Sequence, residues 1–126
     1  MNIRANNGFF VCAEQGGGLD GRTRRDVLIA NRAVAGIWET FQREPNEDGS
    51  FHLRTSGGFL VEAVNFGGGA ITTTSREKTD LGRWRLGLDG SIVCPNGRHC
   101  WRVRTDLDQP YVDATGLIPG VTFRFE

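Results

Sequence analysis

The sequence predicts an all-β chain built from three copies of one four-stranded unit. Three observations carry that expectation. A short hairpin with a glycine turn is written three times: "IRANNGFFVCAE" (Ile3 to Glu14), "LRTSGGFLVEAV" (Leu53 to Val64) and "VCPNGRHCWRV" (Val93 to Val103). Eighteen glycines in 126 residues, about twice the ordinary ~7% usage, fall between short runs of Val, Ile, Phe, Leu and Thr, the texture of strands joined by tight turns. No stretch keeps a 3.6-residue apolar period over three turns, so no long helix is expected.

The elements of each unit follow in order. The hairpin turns sit on Gly8, Gly58 and Gly97, spaced 50 and 39 residues apart. A third strand comes next in each unit: "VLIAN" (Val27 to Asn31), "AITTT" (Ala70 to Thr74) and "PYVDA" (Pro110 to Ala114). An aromatic strand then follows a second glycine, in "GIWETF" at Gly36, "GRWRL" at Gly82 and "GVTFRF" at Gly120. The units fall near residues 1–50, 51–90 and 91–126, and the first is longest because "DGRTRRD" (Asp20 to Asp26) reads as an inserted loop. A period of ~40 residues suits propeller blades or trefoil units, and propellers need about four blades or more to close. Three units closing into one barrel give a β-trefoil, a single domain over residues 1–126.

Alternation about the turns predicts the core. Pairing across Asn96-Gly97 sets Val93 opposite Cys100, and the equivalent pairs are Ile3 with Val11 and Leu53 with Val61. Trp38, Trp84 and Phe123 are expected as matching core anchors in the three aromatic strands. On this alignment Cys100 replaces Val11 and Val61 as a core hydrophobe. Trp101 falls where the other units place Cys12 and Glu62, facing away from the core.

Composition narrows the functional classes. Fifteen Lys+Arg balance fifteen Asp+Glu, which argues against a dedicated nucleic-acid binder, since those carry a basic excess. Lys78 is the lone lysine; the arginines leave bidentate contact with anionic groups open. The start "MNIRANNGFF" lacks an apolar h-region, and no run reaches roughly eighteen apolar residues, so the expectation is a cytoplasmic protein without a membrane partner. Three cysteines do not read as a disulfide framework. Neither His52 nor His99 lies in a nucleophile or thiol context, so no enzyme and no cofactor are expected. Cys94, His99 and Cys100 lack a zinc spacing, so no metal is expected. The runs Gly16–Gly18 and Gly67–Gly69 precede no helix and no Gly-Lys-Ser/Thr, which makes them turns with φ > 0 rather than phosphate loops.

The segments "IRANNGFFVCAEQGGG" and "LIANRAVAGIWETF", with the repeated glycine-turn hairpins, resemble the β-trefoil units of the fascin-like family. There a hairpin ending in Cys-Ala-Glu, a Gly-Gly-Gly run, a Val-Ala-Asn-Arg strand and Gly-Pro-Trp-Glu-Thr-Phe recur. The likeness is close over residues 3–41, fair over 53–86 and poor over 91–126, where Gly-Gly-Gly is absent. It implies the trefoil fold and two partner classes. Eukaryotic fascins bundle actin with four trefoils in one chain, whereas similar single bacterial modules accompany glycan-degrading enzymes. The Gln-x-Trp signature of ricin-type lectins is missing.

Two candidate sites result. One is lectin-like: Trp101 as a stacking platform with "RTDLDQPYVDATG", where Asp106, Asp108, Gln109, Tyr111 and Asp113 combine hydroxyl-binding groups with an aromatic. The alternative is a protein-binding surface, actin among its partners, made by Arg22, Arg24 and Arg25 against acidic groups. The lectin-like candidates appear in the third unit alone, so one site of weak affinity is expected.

Overall fold

The computed structural model describes all 126 residues. Twelve strands run in three sets of four. The first set is β1 (Ile3–Arg4), β2 (Phe10–Ala13), β3 (Leu28–Arg32) and β4 (Gln42–Pro45). The second is β5 (Phe51–Arg54), β6 (Leu60–Ala63), β7 (Ile71–Ser75) and β8 (Arg85–Leu86). The third is β9 (Ile92–Val93), β10 (His99–Arg104), β11 (Tyr111–Leu117) and β12 (Arg124–Phe125). The helical elements are short 3-10 turns, and no helix is long and apolar enough to cross a membrane.

The last strand of each unit pairs antiparallel with the first strand of the next: β4 with β5, β8 with β9, and β12 back onto β1. That final pairing closes the ring and leaves no open edge between the termini. Three equivalent backbone bonds tie the closure together: Phe41 N to Met1 O, Trp84 N to Phe51 O, and Phe123 N to Gly90 O, at 2.8, 3.0 and 2.9 Å. The second and third strands of each unit form a hairpin whose register shifts once, between Phe10 and Cys12, Leu60 and Glu62, and Cys100 and Arg102. A bulge at one position in all three units bends each hairpin over the barrel in the same sense. The fold is a β-trefoil.

The core is a stack of threefold triplets. Ile3, Leu53 and Ile92 form one; Val11, Val61 and Trp101 form the next, all at 0% exposure. Phe41, Trp84 and Phe123 form the third. Trp101 meets Trp84 and Phe123 edge-to-face, with centroids 5.5 and 5.6 Å apart.

Two sequence expectations are corrected here, and both are errors of register. In the first two hairpins the residue after the turn glycine closes the loop, with Ala5 N bonded to Phe9 O and Thr55 N to Phe59 O. In the third, Cys94 N bonds to His99 O, two residues past Gly97. Arg98 is therefore an extra residue. Val93 does pair with Cys100, but on the face of Arg4 and Phe10 rather than that of Ile3 and Val11. A one-residue slip exchanges the two faces of a strand. Trp101 accordingly points into the core, equivalent to Val11 and Val61, and is no surface platform. The second correction concerns Trp38, which is 40% exposed. The 3-10 turns Ile37–Glu39 and Asp80–Gly82 are equivalent, so Gly36 matches Thr79 rather than Gly82. The anchor of the first unit is then Phe41.

Truncation distinguishes inward from outward residues on β10. Trp101→Ala should cost about 3–5 kcal/mol, the range for deleting a buried aromatic, whereas Arg102→Ala on the opposite face should stay within ~0.5 kcal/mol. Chemical denaturation of both variants measures the difference.

Candidate functional site

The trefoil has three seams where one unit meets the next, and two of them are sealed alike. In the first, the run Gly16–Gly18 docks on the hairpin of the second unit, with Gly57 N bonded to Gly16 O and Gly18 N to Thr73 O. In the second, Asn96 N bonds to Phe66 O and Gly68 N to Ala114 O. The close approach requires glycine: at Gly17, φ is +107°, and a Cβ would lie 2.7 Å from Thr55 Oγ1. Such φ values are open to glycine and costly for other residues.

The third seam is different. Where the other units place their glycine run, the third has Asp106-Leu107-Asp108-Gln109 followed by Pro110, whose carbonyl accepts from Ala30 N at 2.8 Å. Tyr111 pairs with Ile29 and joins β11 to β3. An exposed polar loop replaces a close-packed glycine turn, and a cleft of about 640 Å³ opens beside it. Asp106, Leu107, Asp108 and Gln109 line it from one side, and Arg25, Asp26 and Ile29 from the other.

The structure thus brings the arginine set and the lectin-like set, Trp101 excepted, to adjoining clefts. Arg25 Nη1 donates to Tyr111 Oη at 3.3 Å, and Tyr111 Oη donates to Asp106 Oδ1 at 3.0 Å. Asn31 Nδ2 donates to Gln109 Oε1 at 2.6 Å, which ties the loop to the first unit. On the far side of Tyr111 lies a second cleft of about 310 Å³, where Arg22, Arg24, Arg25 and Arg104 meet Asp113 and Thr115. Tyr111 and Arg25 belong to both clefts.

The predicted residues divide by accessibility. Asp106, Asp108 and Gln109 are exposed on the loop; Asp106 already meets Tyr111 and Arg104, at 3.0 and 3.5 Å, and Gln109 meets Asn31. Tyr111 and Asp113 are buried, at 2% and 7% exposure. Tyr111 spends its hydroxyl on Asp106 and Arg25 rather than offering a stacking face. The Asp113 carboxylate accepts from Arg104 Nη1 at 3.0 Å and from Thr115 N and Oγ1 at 3.1 and 2.7 Å. It positions Arg104. Trp101, inside the barrel, lines neither cleft. Its Nε1 is a buried donor without a hydrogen-bond partner, a cost of about 1–3 kcal/mol offset by the volume the indole fills. Sequence reasoning missed Arg104, Leu107, Ile29 and Asn31. Only the adjacency of the first and third units across the closed ring selects them.

The arginine loop is largely self-paired. Arg24 grips Asp26 with Nε and Nη2 at 2.6 and 2.7 Å, and Arg22 Nη1 reaches Asp20 at 3.3 Å. Arg25 has no carboxylate within ion-pair distance; its partner is the Tyr111 hydroxyl. The Asp106 carboxyl is held below its ordinary range, first by the Tyr111 hydroxyl and further by the charges of Arg104 and Arg25.

No group of three or more His, Cys, Asp or Glu side chains could hold a metal. All three cysteines are free and buried, and burial pushes the Cys94 thiol up to about 12. His52 is buried, with Nδ1 accepting from Asn46 Nδ2 at 2.9 Å and Nε2 donating to Thr79 O at 2.8 Å. His99 lies beside Asn96, 2.9 Å from its Nδ2.

No family model matches the chain, and no curated protein matches it. Solved structures do. ThreeFoil, a designed three-fold symmetric protein, superposes with a TM-score of 0.74 at 19% identity, covering 94% of this chain and 90% of its own. A non-toxic homologue of type II RIPs from Momordica charantia (bitter gourd), solved in complex with α-methyl-D-galactoside, superposes with a TM-score of 0.67 at 12% identity. That match covers 98% of this chain, which spans 45% of the larger protein. At these identities the likeness establishes the fold.

The Tyr111 hydroxyl can be tested as the hinge of the site. Tyr111→Phe removes two hydrogen bonds and should cost about 1 kcal/mol while the fold persists. Because the Asp106 pKa is depressed in the folded protein, the ionised carboxylate favours folding above the ordinary carboxylate range. That contribution is lost as pH falls through the depressed value. An NMR titration of the Asp106 carboxyl should show a midpoint below ~3.9, moving up toward it in Tyr111→Phe.

Proposed function

We propose that the protein is a non-catalytic, lectin-like carbohydrate-binding module with one site, in the cleft at the third seam. The observation that carries the reading is the convergence of Asp106, Asp108 and Gln109 with Arg25 around one cleft that Ile29 and Leu107 also line. Carboxylate and amide oxygens accept from sugar hydroxyls, a guanidinium donates to them, and the aliphatic surface meets the ring's C–H face. The absence of a comparable polar loop at the other two seams supports a single site. Support for a non-catalytic role comes from the histidines, which are committed to Asn46, Thr79 and Asn96, and from thiols buried in the core.

No accessible aromatic ring lies in the cleft, since Tyr111 is buried, with the Arg104 guanidinium 5.8 Å over its ring, and Trp101 is internal. Recognition would rest on polar contacts. An affinity of about millimolar for a single sugar follows, near 4 kcal/mol, with useful avidity only where copies are linked.

The fascin-like resemblance carries a second reading, in which Arg22, Arg24 and Arg25 contact actin or another acidic protein. Local pairing of Arg22 and Arg24 with Asp20 and Asp26 weakens it, because a partner must compete with bonds already made.

A glycan array and an F-actin co-sedimentation assay, run side by side, separate the readings. The lectin-like reading expects glycan binding that Asp108→Ala abolishes while stability stays within ~0.5 kcal/mol. A blank array together with salt-sensitive actin pelleting lost in Arg25→Glu would replace it with the second reading.

A further inference from the structure

Resting on the carbohydrate reading, we infer that the preferred ligand is an acidic oligosaccharide. A uronate carboxylate enters the arginine-lined cleft while the adjoining sugar ring occupies the Asp106–Gln109 cleft. The two clefts share Tyr111 and Arg25 as their common wall, so neighbouring sugar residues of one chain can reach both.

Their charges are opposite. The smaller cleft is lined by Arg22, Arg24, Arg25 and Arg104 against a single carboxylate, Asp113. The larger is lined by Asp26, Asp106 and Asp108 against Arg25 alone. An anionic group is repelled from the larger cleft and drawn to the smaller, which fixes the direction in which a mixed ligand lies. Within the smaller cleft the arginines are unequal. Arg24 closes on Asp26, and Arg104 on Asp113. Arg25 has only the Tyr111 hydroxyl, and Arg22 reaches Asp20 through one nitrogen at 3.3 Å. A guanidinium carries five N–H donors in a planar fork. Arg25 and Arg22 therefore keep donors uncommitted, and a carboxylate matches that fork in bidentate geometry.

Arg25 also links the two subsites. Tyr111 Oη accepts from Arg25 and donates to Asp106, so two hydrogen bonds through one hydroxyl join Arg25 to the hydroxyl-binding loop. An anion arriving here supplies Arg25 with the counter-charge that Arg24 and Arg104 already have.

The test is calorimetric titration of the whole chain with trigalacturonate and with its fully methyl-esterified form, which has the same hydroxyls and no charge. The acid should bind about tenfold more tightly at low salt. That gap should shrink as ionic strength approaches ~0.15 M, where the screening length is about 8 Å. Arg22→Gln, which alters the smaller cleft alone, should narrow the gap by weakening the acid more than the ester. Equal affinity for acid and ester overturns the inference and leaves the carbohydrate reading standing; binding of neither, with a blank glycan array, removes both. Equal binding of a poly-glutamate peptide would overturn it in favour of an acidic protein surface. So would an acid preference that survives Arg22→Gln combined with Arg25→Gln.

Discussion

Ring closure is the constraint on which the rest of this molecule depends. The strand β12 pairs with β1, and three equivalent backbone bonds place Phe41, Trp84 and Phe123 at one level around the barrel. Once those are fixed, every unit must deliver the same positions inward. A residue count that differs between units has to be absorbed outside the barrel. The first unit absorbs Asp20–Asp26 as a loop, and the third absorbs Arg98 in a hairpin turn. The core tolerates unequal side chains within a triplet provided the volumes sum correctly, so Val11 and Val61 share a level with Trp101.

The proposed site lies where the pseudo-symmetry fails. Two seams use glycine to bring one unit's turn against the next unit's hairpin, and Gly69 and Ala70 behind the second of these turns border the smaller cleft. At the third seam the Asp106–Gln109 loop stands in place of that turn, tied to the first unit through Asn31 and Ala30, and the inserted arginine loop of the first unit supplies the opposite wall of the cleft. Neither deviation makes a site alone. The Arg25–Tyr111–Asp106 relay joins residues 25 and 106–111, which are distant in sequence and adjacent because the ring closes.

The strand plan was legible in the sequence because turn glycines and β-rich runs are local signals. Strands expected at Val27 to Asn31, Ala70 to Thr74 and Pro110 to Ala114 form at Leu28–Arg32, Ile71–Ser75 and Tyr111–Leu117. Facing was less legible, because it depends on counting residues through turns whose lengths differ. Aligning the hairpins on Gly8, Gly58 and Gly97 hid the extra Arg98 and turned Trp101 outward. Aligning Gly36 with Gly82 hid Phe41 behind Trp38. The candidate loops were legible as compositions, "DGRTRRD" and "RTDLDQPYVDA", but their meeting was not, since no local pattern records which loops a closed barrel brings together. Arg104 and Asn31 were invisible for the same reason.

The proposed site places binding between the inserted loop of the first unit and the glycine-free loop of the third. Backbone amide shifts of the whole chain, followed by NMR during titration with trigalacturonate, test it directly. Shifts are expected to concentrate in residues 20–29 and 104–115 and to reach Gly69, Ala70 and Ile71, which border the smaller cleft, with the turn around Gly16–Gly18 unmoved. Equal shifts at all three seams, or shifts centred elsewhere on the surface, would contradict it.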